Sequence, residues 1–427
     1  MVLATAPMAA APLAAIEATS YASSSAAPLV VWVDSTRLPE VAAFEKANPS
    51  VKLDVITYDG DPDGDGTLQS KFALYNRVGH GWPDVFYSEE NTDAVSIAEP
   101  PYNDAEVLSN GLVPKSVLDQ FGTGTQSDCT VNGKLVCIRD ANGQDVLWYN
   151  KTLMAKFGYA VPTTWAQWQK IGEEVAKQHP GYIVGVAGDT WDDEIYLQAS
   201  QCPMAYLINE YTVKIDPTSP DCTRVATLLD PLIKDGSLPV TAVFNATFPK
   251  QYGAKVLMMV GPSWYGPFVF ESASAIHAPA GEIAAAPPLT WNPGHVPVTG
   301  DVGGGIWFVS SHTKQPQAAA AVVTWITTQF ASEGQAPTYP TYIPLQAPWV
   351  AEQEKSNYFA EPLGPVFASS ANEVWTGWAP TRYNSDAVWS EDVIPVITSG
   401  GTLASALPAF GTGLKDSAQV DGYTVVG

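Results

Sequence analysis

An alternation of short apolar runs with amphipathic segments, beginning at Leu29, most limits how this chain can fold. Three runs (29–33, 51–56 and 84–87) predict strands, because short apolar stretches bounded by polar residues are typical of buried strands. Between them, residues 38–48 and 68–75 predict helices. The β-α-β-α-β order predicts a doubly wound α/β lobe, in which ligands bind at the carboxyl ends of the strands.

A second α/β region follows the first along the chain. Thr164 caps a predicted helix whose buried face carries four apolar residues, so Trp168 is expected in the core: Trp165, Trp168, Ile171 and Val175. Residues 182–187, 256–260 and 306–309 predict further strands, and an amphipathic helix begins at Pro316 with its buried stripe at Ala319, Val322, Val323, Ile326 and Phe330.

Length and charge narrow the class of protein. A chain of 427 residues exceeds what one hydrophobic core supports, so two domains are expected. The net charge of −23 disfavours nucleic acid, anionic lipid and anionic solutes, and favours neutral or cationic partners. An acidic surface also keeps exported proteins soluble, which is the alternative explanation. The 14 Trp and 18 Tyr residues suit a cleft that stacks flat ligands.

The four cysteines predict two local disulfides. Asn132 and Gly133 form a turn signal between Cys129 and Cys137, and the resulting hairpin can bring these two cysteines together. Cys202 and Cys222 form the second pair. Disulfides imply an oxidising compartment, whereas four buried thiols in a cytosolic protein are the alternative. Since no C-x-x-C and no His at zinc-ligand spacing occur, a zinc site is not expected.

Residues 1–28 are rich in Ala, Ser and Pro and contain no Lys or Arg. We expect a truncated leader followed by a flexible tether. No stretch of about 18 strongly apolar residues follows, so no membrane span is expected. Export is predicted, and a lipid anchor in the full-length precursor stays open.

Motifs for nucleotide and zinc-dependent chemistry are missing from the sequence. Ser263 lies in a segment similar to a nucleophile elbow, but the closing glycine comes one residue late. Asp61, Asp63 and Asp65 match the first half of a calcium loop, yet Phe72 stands where the closing Glu belongs, so a solvated loop is expected instead. We therefore expect no cofactor and no metal.

Five short motifs in a fixed order carry a resemblance to a known family. They are the residues 82–86 (WPDVF), 132–138 (NGKLVCI) with 144–151 (QDVLWYNK), 157–165 (FG and VPTTW), 253–264 (GAKVLMMVGPSW) and 303–307 (GGGIW) with 318–326. This set resembles the extracellular solute-binding proteins of ATP-binding-cassette sugar importers, the maltose-binding-protein-like family. The resemblance covers residues 29–415. One departure is that no Pro follows Cys137 and Ile138, where the family has one.

The resemblance implies two α/β lobes joined by a hinge that the chain crosses three times, near Tyr149, Pro288 and Leu345. It places residues 29–149 and 289–345 in the first lobe, and residues 150–288 and 346–427 in the second. It further implies that the protein binds a neutral carbohydrate, most simply an oligosaccharide, in the cleft between the lobes. The protein would act as a monomer, perform no chemistry, and deliver its ligand to the membrane permease subunits of an importer.

The predicted ligand-binding residues combine strand-end positions with positions implied by the resemblance. Trp264 matches the family's stacking Trp, although it could instead plug the lobe interface. Asp145 lies before the first crossing, where a hinge hydrogen bond is the alternative role. Among four late residues, Trp375, Trp378, Arg382 and Trp389, we expect one in the site. The predicted set is Asp34, Ser35, Arg37, Glu89, Glu90, Asn91, Asp145, Trp191, Asp192, Trp264, Tyr265, Gly304, Gly305, Trp378 and Arg382.

Two other functions fit parts of the sequence. A secreted glycoside hydrolase also needs carboxylates in an aromatic cleft, but no carboxylate pair is marked by its spacing. A binding protein for another solute, such as a polyamine, would also suit the acidic balance.

Overall fold

The computed structural model describes residues 27–60, 66–334 and 336–427. The strands are β1 Leu29–Val33, β2 Leu53–Thr57, β3 Val85–Ser88, β4 Thr130–Val131, β5 Lys134–Leu135, β6 Cys137–Arg139, β7 Ala141–Asn142, β8 Asp145–Asn150, β9 Tyr206–Asn209, β10 Thr212–Lys214, β11 Met258–Pro262, β12 Ile283–Ala286, β13 Ile306–Val309, β14 Tyr339–Pro340 and β15 Thr424–Val426. The helices are α1 Leu38–Ala47, α2 Thr67–Val78, α3 Asp93–Ala98, α4 Lys115–Leu118, α5 Lys151–Phe157, α6 Trp165–Gln178, α7 Pro220–Asp235, α8 Phe248–Tyr252, α9 Pro316–Thr328, α10 Phe330–Glu333, α11 Ile343–Gln353, α12 Gly364–Ser370, α13 Ser385–Asp392, α14 Ile394–Thr398 and α15 Leu403–Val420. None of the helices in these ranges combines the length and apolarity that a bilayer crossing needs.

A five-stranded sheet in the order β2-β1-β3-β13-β6 organises the first lobe. Strand β1 pairs in parallel with β2 and β3, whereas β13 runs antiparallel to β3 and β6. Phe86 of β3 stacks on Phe308 of β13 with ring centroids 4.6 Å apart. Helix α9 covers this core with the predicted stripe, since Ala319, Val322, Val323 and Ile326 are buried; Phe330 belongs to α10 instead.

The second lobe is organised by the antiparallel sheet β11-β8-β12. Trp148 of β8 is fully buried and donates its indole N–H to the carbonyl of Pro262, 3.0 Å away. Helix α6 begins where the sequence predicted, because the Thr164 side chain accepts a hydrogen bond from the Gln167 amide. Trp168 is buried as predicted and donates to the carbonyl of Val184.

The predicted strand at residues 182–187 is wrong. This segment forms one isolated parallel β-bridge, which joins Ile183 to Val256. Downstream, the amides of Val184 and Ala187 donate to the carbonyls of Ser237 and Pro239 on another segment. The apolar run therefore marks a buried extended chain held between two neighbours, and not a regular ladder; burial alone produces the same sequence pattern.

Three chain segments connect the lobes, and they are hydrogen-bonded to one another. The Thr341 amide donates to the carbonyl of Asp140 and the Val302 amide to that of Gly143. A side chain at Gly143 would place its Cβ 1.9 Å from the Val302 carbonyl oxygen, so this junction needs a glycine. The two-lobed α/β architecture with three crossings is the predicted fold class, and it is confirmed.

Both predicted disulfides, Cys129–Cys137 and Cys202–Cys222, are present. Within the first, Asn132 and Gly133 have φ angles of 50° and 73°, as a two-residue hairpin turn between β4 and β5 requires. The second joins the segment before β9 to the first turn of α7, and both of its cysteines are fully buried.

We predict that replacing Cys202 and Cys222 together by Ser destabilises the protein by roughly 3 kcal/mol, because the bond closes a loop of about 20 residues. Replacing Cys129 and Cys137, whose loop is shorter, should cost less, roughly 2.5 kcal/mol by the same loop-entropy argument. Chemical denaturation of both double variants measures the two values. A larger loss from the Cys129–Cys137 variant would contradict this order.

Candidate functional site

A cavity of about 600 Å³ lies between the two lobes. Its first-lobe wall is formed by Thr36, Arg37, Tyr87, Glu89 and Glu90. Its second-lobe wall is formed by residues 188–191, Ala242, Phe244, Asn245, Trp264, Phe268 and Asp386, and the crossings contribute Val302, Gly303, Gly304 and Thr338.

Strand direction brings these residues together. The parallel strands β1 and β3 end at the same sheet edge, so the segments that follow Val33 and Ser88 meet there. Strand β13 is antiparallel and begins opposite Ser88, which delivers the residues before Ile306 to the same edge. In the second lobe, Pro262 at the end of β11 pairs with Asp145 at the start of β8, and Trp264 follows two residues later.

Three aromatic side chains form one face of the cavity: Trp191, Phe244 and Trp264. The rings of Phe244 and Trp264 are nearly parallel, at 9°, with centroids 6.2 Å apart. Trp191 stands at 70° to Trp264 with a centroid distance of 5.8 Å. We call these three residues the aromatic wall.

Hydrogen bonds at their polar edges hold both indoles of the aromatic wall in place. Trp264 donates its N–H to the carbonyl of Val302, 2.9 Å away. Trp191 donates to the hydroxyl of Tyr265, which in turn donates to the carboxylate of Asp189. Because the N–H groups are used in this way, the flat faces remain available for apolar contact with a ligand.

Charged side chains form the polar part of the cavity lining. The Arg37 guanidinium lies 4.7 Å from the ring centre of Tyr87. Asp386 is 3% exposed, and one of its carboxylate oxygens has no hydrogen-bond partner. Burial, together with the neighbouring Glu194, Asp193 and Glu90, raises the pKa of Asp386 well above its ordinary value.

Contacts across the cleft hold the two lobes together beside this cavity. Arg382 of the second lobe forms an ion pair with Glu99 of the first. Asn384 donates its side-chain N–H to the carboxylate of Glu90, 3.2 Å away. In this conformation, side chains of the two lobes are therefore in direct contact.

The structure places six of the predicted ligand-binding residues on the cavity: Arg37, Glu89, Glu90, Trp191, Trp264 and Gly304. Asn91 and Trp378 line a second cavity of about 260 Å³, with Trp375, Arg139 and Glu194. Asn91 also donates to the carbonyl of Gly303, 2.7 Å away.

The remaining predicted residues do not line either cavity. Asp34 accepts hydrogen bonds from Thr36, and Ser35 is exposed. Asp192 accepts from the Asp189 amide and Tyr265 supports Trp191.

Three further predicted positions serve the framework of the lobes. Asp145 is 1% exposed and lies against Gly300 of the second crossing. Gly305 has a φ of 75° and leaves room for the Tyr87 hydroxyl. Arg382 is held by Glu99 and by the ring of Tyr423, while Trp389 of the late aromatic group is core.

Several cavity residues were missed by the sequence reasoning: Tyr87, Asp189, Phe244, Asn245, Phe268, Thr338 and Asp386. Asp189 could have been found, since it follows the apolar run 182–187 that the sequence singled out. Phe244 lies in an irregular segment and is 52% exposed. Asp386 lies in the first turn of α13, roughly 190 residues from Glu194 and roughly 300 from Glu90, which are its charged neighbours. Neither Phe244 nor Asp386 is marked as a cavity residue by the sequence around it.

Two weaker motifs can be placed as well. Ser263 is 2% exposed and donates its hydroxyl to the carbonyl of Asn142 at 3.1 Å, away from any nucleophilic role. Asp61, Asp63 and Asp65 of the calcium-like loop lie outside the residues that the structure describes.

A two-lobed α/β fold with an aromatic and polar cleft at the lobe junction defines the class of solute receptors that close around a small ligand. The model of the family described as "Bacterial extracellular solute-binding protein" matches residues 33–331. The chain therefore belongs to the bacterial extracellular solute-binding proteins.

Solved structures with this fold cover nearly the whole chain. The galacto-N-biose-/lacto-N-biose I-binding protein of an ABC transporter from Bifidobacterium longum, in complex with lacto-N-biose, has a TM-score of 0.76 at 17% identity, covering 94% of this chain and 99% of that one. The GacH receptor of Streptomyces glaucescens GLA.O, solved with and without acarbose, has a TM-score of 0.69 at 18% identity, covering 93% and 99%. Maltose-bound MalE3 of T. maritima also has a TM-score of 0.69 at 18% identity, covering 92% and 100%. A comparison with curated proteins finds no match.

We predict that Asp193, beneath the cavity, makes stability depend on pH. Burial raises its pKa from 3.8 to about 6, which means that the folded state favours the neutral acid. Its contribution is fully present below its ordinary pKa and is lost as pH rises through about 6. The melting temperature of the wild type should therefore fall between about pH 4 and about pH 6.

The variant Asp193→Asn should flatten that part of the profile, because the amide does not titrate. Asp416→Asn, which changes an exposed carboxylate on α15, is the control and should keep the wild-type slope. Calorimetry across this pH range measures all three proteins. Identical slopes for wild type and Asp193→Asn would contradict the prediction.

Proposed function

We propose that this protein binds a carbohydrate, most simply an oligosaccharide, in the 600 Å³ cavity and delivers it to an ABC importer. The observation that carries the proposal is the aromatic wall, whose indoles are anchored at their N–H edges and present their faces to the cavity. Sugars offer C–H patches on their ring faces and hydroxyls around the ring edge. An aromatic wall facing charged and amide side chains is complementary to both.

The energy of such stacking is substantial. Burying one ring face against an indole contributes on the order of 1–3 kcal/mol, given about 25 cal/mol for each Å² of apolar surface removed from water. Arg37, Glu89, Glu90 and Asn245 can supply charge-assisted or neutral hydrogen bonds to hydroxyl pairs. Together these contacts favour the conformation in which the lobes lie close together.

The structural relatives support the same ligand class. The three described above were solved in complex with lacto-N-biose, acarbose and maltose. These ligands are all oligosaccharides or resemble them. The fold that this chain shares with those proteins therefore accommodates ligands of the proposed kind.

Delivery requires two bodies that move relative to each other. We propose that they are the two predicted lobes, with their boundaries at the crossings near Gly143, Val302 and Thr341 instead of at Tyr149, Pro288 and Leu345, because β8 belongs to the sheet of the second lobe. Closure would form the contacts of Arg382 with Glu99 and of Asn384 with Glu90. We further propose that the protein is a monomer outside the cell, releases its ligand unchanged, and docks on permease subunits with both lobes.

We predict that Trp264→Ala weakens oligosaccharide binding at least about tenfold, since it removes one stacking face. The melting temperature should change little, because Trp264 is only partly buried. Trp82→Ala is the matched control: Trp82 is a partly buried indole stacked on His312 in the first lobe, outside the cavity.

The ligand for this titration comes from a thermal-shift screen against mono-, di- and trisaccharides, with putrescine included to test a polyamine ligand. Isothermal titration then compares the three proteins. Unchanged affinity in Trp264→Ala would refute the stacking role, and stabilisation by putrescine alone would refute a carbohydrate ligand. Release of new sugars from the oligosaccharides on incubation would indicate a hydrolase instead.

A further inference from the structure

A second group of acidic side chains lies in the first lobe, behind the polar part of the cavity. It consists of Glu40 in the first turn of α1, Asp140 directly after β6, and Glu333 at the end of α10. One carboxylate oxygen from each residue lies within 4.8 Å of the others. The three side chains come from segments far apart in the sequence and are 2%, 1% and 0% exposed.

Most of the carboxylate oxygens in this acidic group have no hydrogen-bond partner. Both oxygens of Glu40, both of Glu333 and one of Asp140 are buried without a hydrogen bond. The other oxygen of Asp140 accepts from the indole N–H of Trp307 at 3.2 Å. Buried carboxylate oxygens are normally hydrogen-bonded or bound to a metal, so five oxygens without a hydrogen bond at one point indicate a missing cation or proton donor.

The charges of the group do not balance among the described residues. The Arg37 Nε lies 3.6 Å from Glu40 and 3.5 Å from Asp140, but no ion pair reaches Glu333. Three carboxylates and one guanidinium leave two negative charges in a buried space. Either two protons or one divalent cation would neutralise them.

We propose that Glu40, Asp140 and Glu333 bind a divalent cation of the Ca²⁺ type. The donors are all oxygens, which hard cations prefer, and Glu40 and Glu333 each have two oxygens without a hydrogen bond that suit bidentate contact. Oxygens bound at 2.3–2.6 Å to a common Ca²⁺ are at most about 5 Å apart, in agreement with the observed grouping. Mg²⁺ fits less well, because it requires near-octahedral geometry and keeps several waters.

The cation also links the first lobe to the solute cavity through Arg37. Without a cation, Arg37 lies between Glu40 and Asp140 while also lining the cavity. A bound cation takes over these carboxylate oxygens and leaves the guanidinium facing the cavity and the Tyr87 ring. Cation binding would thus join α1, the segment after β6 and α10, and would orient a cavity side chain.

Calcium titration of the chelator-treated full chain tests the proposal. Wild-type protein should bind Ca²⁺ and melt at a higher temperature with it than without it. Glu333→Gln should lose at least about tenfold in Ca²⁺ affinity, since one charged ligand is removed. Glu45→Gln, on the exposed face of the same helix as Glu40, is the control and should bind as the wild type does.

Two further variants keep the test decisive. The triple variant Asp61→Asn, Asp63→Asn, Asp65→Asn removes the calcium-like loop, and it should retain one Ca²⁺ site. Glu40→Gln is measured beside Glu333→Gln, with circular dichroism to verify folding. In calcium-free buffer both Gln variants should be at least as stable as the wild type, because each removes uncompensated buried charge.

The results that overturn the proposal are specific. They are the absence of Ca²⁺ binding to the wild type, equal affinity in Glu333→Gln, or complete loss of binding in the loop variant. Proton uptake by the acidic group without any cation would appear as the first of these, since the group would then be neutral without a metal. None of these outcomes depends on which solute the cavity binds.

Discussion

Close backbone packing of the three crossing segments is the constraint on which the rest of the structure depends. Gly143 lies so close to Val302 that no side chain fits, and Thr341 is hydrogen-bonded to Asp140. This junction sets the distance between the sheets of the two lobes. Its residues Val302 to Gly304 also line the cavity. Because the Val302 carbonyl also accepts from Trp264, the same backbone segment sets both the hinge and the position of a stacking indole.

The junction of the three crossing segments also has a high density of buried charged side chains. Carboxylates from both lobes and from the crossings converge on it, with Arg37 and Arg139 as the cations among them. Arg139 is held by Asp128 and Asp301 and by the Gly303 carbonyl, so its charge is compensated. Around Asp386 and around Glu333 compensation is incomplete. Buried carboxylates without full compensation destabilise the folded state, and they are retained where a ligand, a proton or a metal ion can offset their charge.

The net charge of −23 is consistent with this picture, although it does not by itself specify the site. Its distribution matters more, since the aromatic wall belongs to the second lobe while Arg37 and the acidic residues after β3 belong to the first. A ligand that contacts both lobes favours closure. In the proposed function, the polar side chains orient the carbohydrate and the aromatic wall supplies most of the apolar contact.

The sequence by itself determined the periodic elements, the two disulfides, the family and the strand ends, because strand and helix periodicity, turn residues and local cysteine spacing are properties of neighbouring residues. It therefore predicted Arg37, Glu90, Trp191 and Trp264, which follow apolar runs and line the cavity; their contact with a ligand stays a prediction. Phe244, Asp386 and the grouping of Glu40 with Asp140 and Glu333 were decided only by tertiary structure. They come from irregular segments or from helices far apart in the chain, and long-range packing leaves no spacing signal. For the same reason the apolar run 182–187 showed its burial in the sequence, but its lack of a regular strand appeared only when its neighbours were known.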